Sequence, residues 1–156
     1  MRMTTGLRAS RRGEEATDAR TPDAVIDAFE QPRACYVCHA AYRGVHFFYD
    51  RLCPTCAAFN WEKRGQTADL RGRVALVTGA RVRIGYAVAL KLLRAGATLV
   101  ATSRFPRDAA RRFAAERDFD DWQGRLTVHG LDLRDLAGVE RFAARLTASH
   151  PRLDVL

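Results

Sequence analysis

The chain has 156 residues, of which 47% are hydrophobic, and a formal net charge of +8. This length supports one ordinary hydrophobic core, or a small domain followed by part of a larger one. No apolar run approaches the roughly 20 residues that a membrane-spanning helix needs, and the polar, Arg-rich start lacks the apolar segment of a secretory signal. We therefore expect a cytoplasmic protein that does not bind membranes.

Positive charge is concentrated in the C-terminal part of the chain. Residues 70–156 contain 16 basic and nine acidic side chains, whereas residues 1–34 contain six of each. A basic surface suits nucleic acid, but it equally suits a phosphate-bearing small molecule. Since the basic residues form no dense run, the charge does not favour nucleic-acid binding.

The N-terminal part of the chain divides into three predicted segments. Residues 1–21 are small and polar without periodicity, which indicates a disordered arm. Residues 22–30 are predicted to form a short amphipathic helix, with Thr21 as its N-cap and a proline in its first turn. This helix and the cysteine-rich stretch after it are predicted to form a small zinc-binding module over residues 22–60, followed by a polar linker over residues 61–72.

All four cysteines lie in this module, as two Cys-x-x-Cys pairs separated by fourteen residues. Such spacing is typical of tetrahedral zinc sites, because each pair presents two thiolates from a tight turn and the intervening loop brings the pairs together. Two disulfides, or a redox or iron–sulfur role, are the alternatives. His39 and His46 also lie close enough in sequence to replace a cysteine, although we favour surface or packed positions for both. The predicted zinc ligands are Cys35, Cys38, Cys53 and Cys56.

From Arg73 onward, the sequence alternates apolar strands with helical segments. Strands are predicted over residues 74–77, 97–102, 125–129 and 153–156, and helices over residues 86–94, 107–117 and 135–149. Strand–helix alternation with short connections predicts right-handed βαβ units in a parallel sheet. We therefore predict an α/β fold, in which residues 73–156 form the N-terminal half of a doubly wound Rossmann domain.

A glycine-containing loop connects the first of these strands to its helix, from Thr78 to Gly85. Gly79 allows a sharp turn out of the strand, and Gly85 allows the helix to pack closely on the sheet. A helix that starts after such a loop offers free N–H groups and a partial positive charge to a pyrophosphate. This strand–loop–helix context is what a dinucleotide-binding fingerprint requires.

The loop resembles that of the short-chain dehydrogenase/reductase family, whose motif is T-G-x-x-x-G-x-G. Thr78, Gly79 and Gly85 match this motif, whereas Arg83 occupies the position of its middle glycine. An arginine there could direct its guanidinium onto a phosphate. Similarity over residues 35–156 indicates a divergent branch in which a four-cysteine segment precedes the Rossmann domain. The resemblance implies that the loop binds a nicotinamide dinucleotide through Thr78, Gly79, Arg81, Arg83, Ile84 and Gly85.

The end of the second predicted strand favours NADP over NAD. NAD-binding proteins place a carboxylate there to bind the ribose 2′-hydroxyl, but no acidic residue occupies the four positions after Ser103. The resemblance implies that Ser103 and Arg104 bind the 2′-phosphate, and Arg81 could assist. It also implies an adenine contact for Asp132, with Leu133 beside it, although Asp132 could instead serve only to turn the chain.

The family's catalytic residues are absent from this sequence. Family members follow their fourth strand with N-N-A-G, a serine and Tyr-x-x-x-Lys, but here no tyrosine is followed four residues later by lysine. No catalytic residue is therefore predicted. We expect this chain to be the cofactor-binding part of a longer NADP(H)-dependent oxidoreductase that acts on a small carbonyl or alcohol substrate. The longer enzyme could form a homo-oligomer, as the family resemblance implies. By itself, this chain is expected to be inactive and marginally stable, because its last strand leaves an apolar sheet edge.

Two other functional hypotheses stay open. A catalytically inactive, zinc-bearing adaptor or nucleotide-sensing module is favoured by the missing catalytic motif. A nucleic-acid binder that uses the cysteine module and the basic surface would lose affinity steeply with salt. The glycine loop, Arg104 and Asp132 favour the oxidoreductase.

Overall fold

A computed structural model describes residues 21–156, so residues 1–20, most of the predicted N-terminal arm, lie outside the described residues. The chain forms two compact units, with the boundary between Gln66 and Thr67. Within the described part of the chain, no helix is long and apolar enough to cross a membrane.

The N-terminal unit contains an antiparallel hairpin followed by a helix. Its elements are β1 (Val25–Ala34), β2 (Ala41–His46) and α1 (Pro54–Arg64). The register of the hairpin shifts between Ala28 and Arg33, and Pro32 lies within this irregular stretch. Because proline has no N–H to donate to a regular ladder, an irregular stretch is where a strand can accommodate it.

The helix predicted over residues 22–30 is wrong, because most of this segment belongs to β1. Thr21 does not begin a helix; its carbonyl accepts a hydrogen bond of 3.0 Å from the Ala24 N–H in a turn. The segment contains β-branched and aromatic side chains, and its pairing with β2 overrides the weak local helical pattern. At the other end of the unit, α1 includes residues 61–64, which were predicted to begin a linker.

The N-terminal unit has a small core that includes a cysteine sulfur. The buried residues Cys35, Tyr42, Leu52 and Ala57 pack together. A separate group of rings surrounds Trp61, whose centroid lies 4.8 Å from that of Phe47 and 5.1 Å from that of Phe48. So little apolar material gives only limited stability to a unit of this size.

The C-terminal unit is built on a parallel sheet. Its strands are hydrogen-bonded in the order β3-β4-β5, with bounds β3 (Val74–Val77), β4 (Thr98–Ser103) and β5 (Leu126–Gly130). Its helices are α2 (Arg83–Arg94), α3 (Pro106–Ala114), α4 (Phe119–Trp122) and α5 (Leu136–Ser149), with a 3₁₀ turn over Gln123–Arg125. The predicted α/β fold with a parallel, Rossmann-type sheet is confirmed.

A fourth segment lies on the other edge of β3. Val155 forms a parallel bridge to Ala75, and its carbonyl accepts a hydrogen bond of 2.9 Å from the Leu76 N–H. The strand predicted over residues 153–156 is therefore present as a single bridge. The resulting spatial order, β5-β4-β3 and then Val155, is that of half a Rossmann fold.

Helices cover both faces of the sheet. On one face, Leu99 packs with Leu93 of α2 and Phe113 of α3. On the other face, Val100 packs against Phe142 of α5. Because successive residues of a strand point to opposite faces, burial on both faces requires apolar side chains in succession, as in β4. This packing fixes the carboxyl ends of the strands, where the candidate site lies.

Candidate functional site

The carboxyl ends of β3, β4 and β5 adjoin a cavity of about 320 Å³. In open parallel sheets, ligands bind at this edge because the loops that leave the strands meet there. Six of the predicted cofactor-binding residues line the cavity, namely Gly79, Arg81, Ser103, Arg104, Asp132 and Leu133. The other four lie outside its lining, in the same loop or the first turn of α2, namely Thr78, Arg83, Ile84 and Gly85.

Two glycines shape the loop between β3 and α2. Gly79 has a φ of 66°, in the left-handed region that residues with a side chain disfavour. A Cβ on Gly85 would lie 2.6 Å from the carbonyl oxygen of Gly79, which is closer than nonbonded atoms pack. Glycine at these positions therefore permits the sharp turn and the close approach of α2 to the loop.

Helix α2 begins beside the cavity, since its N-cap residue, Val82, lines it. Among the described residues, no side chain caps this helix, and its first turn contains no acidic residue. The first N–H groups of α2 therefore carry the positive end of the helix dipole without a side-chain partner. A phosphate is well suited to such a position.

Arg83 has a left-handed backbone, with a φ of 56°. Within residues 21–156, His39 is the only other non-glycine residue with a positive φ. This conformation costs a residue with a side chain about 1–2 kcal/mol. The chain thus keeps, at the position of the motif's middle glycine, a backbone conformation that glycine adopts readily. The exposed side chain of Arg83 adds a cation at the start of α2.

Phe105, which was not predicted as a site residue, lies among the predicted residues at the end of β4. Its N–H donates a hydrogen bond of 3.0 Å to the Oγ of the buried Ser103. The guanidinium carbons of Arg81 and Arg104 lie 5.2 Å and 5.7 Å from the centroid of its ring. These distances permit cation–π attraction, so one aromatic ring gathers both predicted phosphate-binding arginines.

Asp108 is the first acidic residue after β4, and arginines engage its carboxylate. The nearest nitrogens of Arg112 and Arg81 each lie 2.9 Å from Oδ2, and that of Arg111 lies 3.0 Å from Oδ1. Hydrogen bonds from Arg112, Arg81 and Arg111 hold the pKa of the Asp108 carboxyl well below its usual range. The carboxylate is therefore ionised and hydrogen-bonded to these three arginines.

Asp132 has a local partner in Arg134. Its Oδ1 accepts a hydrogen bond of 3.1 Å from the Arg134 N–H, and its Oδ2 lies 2.8 Å from the Arg134 guanidinium. Hydrogen bonds from Arg134 lower the pKa of the Asp132 carboxyl to about 2. Asp132 thus turns the chain after β5, the local role that the sequence left open, and also places a carboxylate in the cavity wall.

The cavity also contains residues that sequence reasoning missed. Besides Phe105, these are Val82, Thr102, Leu131 and Arg134. Each lies directly next to a residue that was predicted. Because loops at the carboxyl edge of a parallel sheet share one site, including the residues that flank each strand end would have found them.

A second candidate site lies in the N-terminal unit, where all four predicted zinc ligands come together. The Sγ atoms of Cys35, Cys38, Cys53 and Cys56 lie within 4.8 Å of one another. All four are free thiols. The Sγ atoms of Cys38 and Cys53 are 3.7 Å apart, whereas a disulfide bond is about 2.05 Å long.

The environment of the cluster changes the acidity of its thiols. Burial opposes ionisation of Cys35, but hydrogen bonds from the backbone N–H groups of Cys38 and Cys53 outweigh it and lower the pKa of Cys35 to about 6. The hydrogen bond with the Cys53 side chain raises the pKa of Cys56 to about 12. The ionisation of each thiol therefore depends on the protonation of its neighbours.

Neither histidine considered as a ligand belongs to the cluster of the described residues. The buried His46 has its Nε2 atom 2.7 Å from the carbonyl oxygen of Pro22. Its Nδ1 atom accepts hydrogen bonds from the N–H groups of Phe48 and Tyr49, at 3.0 Å and 3.1 Å. These contacts assign the proton to Nε2 and occupy both nitrogens. Burial lowers the pKa of His46.

Comparison with known proteins matches a family to most of the C-terminal unit. The family model described as short chain dehydrogenase matches residues 73–156. A metagenomic short-chain oxidoreductase, solved in complex with NADP, is 38% identical with a TM-score of 0.50, over 57% of this chain and 39% of that one.

Relatives found at the sequence level include a human protein and a viral one. Dehydrogenase/reductase SDR family member 13 from Homo sapiens is 43% identical over 94 residues, which cover 59% of this chain and 24% of that protein. An uncharacterized protein from Acanthamoeba polyphaga mimivirus is 38% identical over 103 residues, which cover 65% of this chain and 22% of that protein. The chain therefore spans about a quarter of the length of these relatives.

Proposed function

Because this chain belongs to the short-chain dehydrogenase family, we propose that residues 73–156 form the cofactor-binding part of an NADP(H)-dependent oxidoreductase that acts on a carbonyl or alcohol substrate. One observation carries this proposal. The uncapped start of α2 and the side chains of Arg81 and Arg104 converge on one cavity at the carboxyl edge of the sheet. This combination matches the charge distribution of a dinucleotide that has a further phosphate.

The loop from Thr78 to Gly85 is proposed to hold the pyrophosphate. Gly79 exposes the backbone at its sharp turn, and the first N–H groups of α2 are available to phosphate oxygens. Arg83 replaces the glycine that would leave this backbone bare, and its guanidinium can instead donate to a phosphate as a charged side chain. Ile84 would lie along the cofactor, since it is exposed in the first turn of the helix.

The end of β4 supports NADP(H) over NAD(H). A ribose 2′-hydroxyl needs an acceptor, but the nearest acidic side chain along the chain, Asp108, is engaged by three arginines. Arg81 and Arg104 instead offer donors that suit a phosphate. The NADP complex of a relative 38% identical to this chain agrees with that choice.

The positions of these residues indicate which part of the cofactor each of them would bind. The nicotinamide ring, when bound, supplies the hydride chemistry. We propose that Ser103, Arg104 and Arg81 hold the 2′-phosphate, while Asp132 accepts a hydrogen bond from the adenine amino group and Leu133 packs beside that ring. The share of the reaction proposed for this chain is thus binding and orientation of the cofactor, and no proton transfer is assigned to its residues.

The proposal is tested by measuring the affinity of the 156-residue chain for NADPH and NADH by calorimetry. We expect NADPH to bind more tightly, and Arg104→Ala to weaken NADPH binding roughly 10- to 100-fold, as loss of a charged hydrogen bond does, with little effect on NADH. Arg107→Ala is the matched control, because Arg107 is an exposed arginine nearby that lies outside the cavity lining. Tighter binding of NADH, or equal losses for both cofactors in Arg104→Ala, would refute the assignment.

A further inference from the structure

The N-terminal unit carries a cluster of four thiols that the proposed cofactor function does not use. The cluster joins two elements: Cys35 follows β1 directly, with Cys38 in the turn before β2, while Cys53 is the N-cap of α1 and Cys56 lies in its first turn. The tip of the hairpin and the start of the helix therefore converge on one point. The family model begins at Arg73, after this unit.

We propose that these four cysteines bind one zinc ion as a closed structural site. Zinc bound by four thiolates at about 2.3 Å requires sulfurs about 3.8 Å apart in a tetrahedron. The Sγ atoms of Cys38 and Cys53 are 3.7 Å apart, and all four lie within 4.8 Å of one another. The cluster therefore has the size of a zinc–thiolate tetrahedron before any metal is added.

The backbone around the cluster is suited to negative sulfurs. The N–H of Cys53 points to the Sγ of Cys35 at 3.3 Å, a contact that stabilises a metal-bound thiolate from its second shell of neighbours. Cys53 and Cys56 lie at the positive end of the α1 dipole, and no side chain of the described residues caps that helix. Two of the four thiolates thus receive stabilisation from the helix itself.

The ligand set indicates a structural rather than a catalytic ion. Catalytic zinc keeps one position for water or substrate, whereas four protein sulfurs fill a tetrahedron. The hydrogen bonds of His46 occupy both of its ring nitrogens, so it cannot exchange with a sulfur without breaking them. No coordination position is left for a substrate.

A bound zinc ion would also stabilise the fold of this small unit. Its core around Cys35 has three further buried members, Tyr42, Leu52 and Ala57, and the unit also buries Val45, Phe47 and Phe48. A unit this small usually needs a metal or disulfides as well. An ion at the cluster would tie the hairpin to α1, so that metal binding and folding of the unit become one event. This inference goes beyond the proposed cofactor function and does not depend on it.

The test measures metal content and spectra of the complete 156-residue chain. After reduction, loading with zinc and extensive dialysis, elemental analysis should find about one zinc per chain. Replacement of zinc by Co²⁺ should give the charge-transfer and d–d bands of tetrahedral thiolate coordination. Removal of the ion by a strong chelator should abolish the near-ultraviolet circular dichroism of the rings around Trp61, and added zinc should restore it.

Variants assign the ligands. Cys38→Ser and Cys56→Ser, one from each pair, should each lose stoichiometric zinc. Thr55→Ala and His39→Asn are matched controls: Thr55 is an exposed residue between two ligands, and asparagine tolerates the left-handed backbone of His39. Both controls should retain one zinc per chain.

The cobalt spectrum of the wild-type chain tests for tetrahedral thiolate coordination even where a cysteine variant does not fold. Dialysed wild-type protein without zinc, an intact mass that corresponds to two disulfides, or bound iron in place of zinc would each overturn the proposal. So would a circular dichroism spectrum that chelation leaves unchanged, since the ion would then have no structural role. NADPH affinity, measured on the same samples, reports separately on the cofactor site.

Discussion

Gly85→Ala tests how closely α2 approaches the loop that precedes it. A Cβ at this position would lie 2.6 Å from the Gly79 carbonyl oxygen and 3.3 Å from the Thr78 carbonyl oxygen. These are backbone atoms, which cannot rotate away as a flexible side chain can. Because overpacking in rigid surroundings costs about 1–3 kcal/mol, we expect the free energy of unfolding of the C-terminal unit to fall by that amount.

Two further glycine-to-alanine changes separate crowding from backbone strain. Gly79 has a positive φ but open space around its Cβ position, so Gly79→Ala should lose only the cost of the left-handed conformation, about 1 kcal/mol. Gly124 has neither neighbours at that position nor a positive φ, so Gly124→Ala should have almost no effect. The expected order of destabilisation is Gly85→Ala, then Gly79→Ala, then Gly124→Ala.

Thermal unfolding followed by circular dichroism gives the comparison. In a domain of this size, each kcal/mol corresponds to roughly 4–8 °C in Tm, so a difference of about 1 kcal/mol between two variants is measurable. NADPH affinity should fall in Gly85→Ala, because the displaced start of α2 no longer presents its N–H groups to the cavity. Equal stability of Gly85→Ala and Gly124→Ala would refute the argument that close packing requires glycine at position 85.

Three other predictions follow from single residues. Arg83→Ala should be less stable than Arg83→Gly by about 1 kcal/mol in chemical denaturation, since only glycine relieves the φ of 56°; equal stability would mean that this backbone is not left-handed. Because burial lowers the pKa of His46, the unfolded chain binds that proton more readily, so its contribution to stability should be lost as pH falls below about 6.5; an NMR titration should place the His46 pKa below that value, and a higher one would contradict the burial. Phe113→Ala, at a fully buried ring 4.9 Å from that of Tyr86, should destabilise the C-terminal unit by about 3–5 kcal/mol in a urea titration, and a loss under 1 kcal/mol would contradict the packing.

The C-terminal unit was predictable because its signals are local. A strand buried on both faces is an apolar run, so β3, β4 and β5 were each located to within about one residue. Helix ends were harder to locate. The helix predicted over residues 107–117 ends at Ala114, because the sequence there stays rich in helix-forming residues while the chain turns into α4.

The hairpin of the N-terminal unit could not be predicted in the same way. Residues 22–30 carry apolar side chains at spacings that fit a helix as well as a strand. The segment forms a strand because it pairs with β2, which lies later in the chain. Information of this kind is not contained in any short window. The convergence of the four cysteines was predictable, since it depends only on the spacing of two tight turns.

At the cavity, the sequence predicted several of the lining residues, but it did not predict the contacts that position their side chains. The contacts of Asp108 with Arg111 and Arg112 follow from helical spacing, whereas its contact with Arg81 needs two loops to come together. Phe105 was not predicted, because an aromatic residue after a strand does not indicate any particular kind of binding site. Its role as a common neighbour of two guanidinium groups exists only in three dimensions.

Helix starts in this chain differ in a way that relates to the two sites. At α5, the Asp135 side chain accepts a hydrogen bond from the Gly138 N–H and caps the helix. At α1, α2, α3 and α4, no side chain of the described residues does so. Since an uncapped helix start is less stable by about 1 kcal/mol, its N–H groups and dipole gain most from an anionic partner. Phosphate oxygens at α2 and metal-bound thiolates at α1 are two forms of that partner, so each proposed site would stabilise one of the four uncapped helix starts.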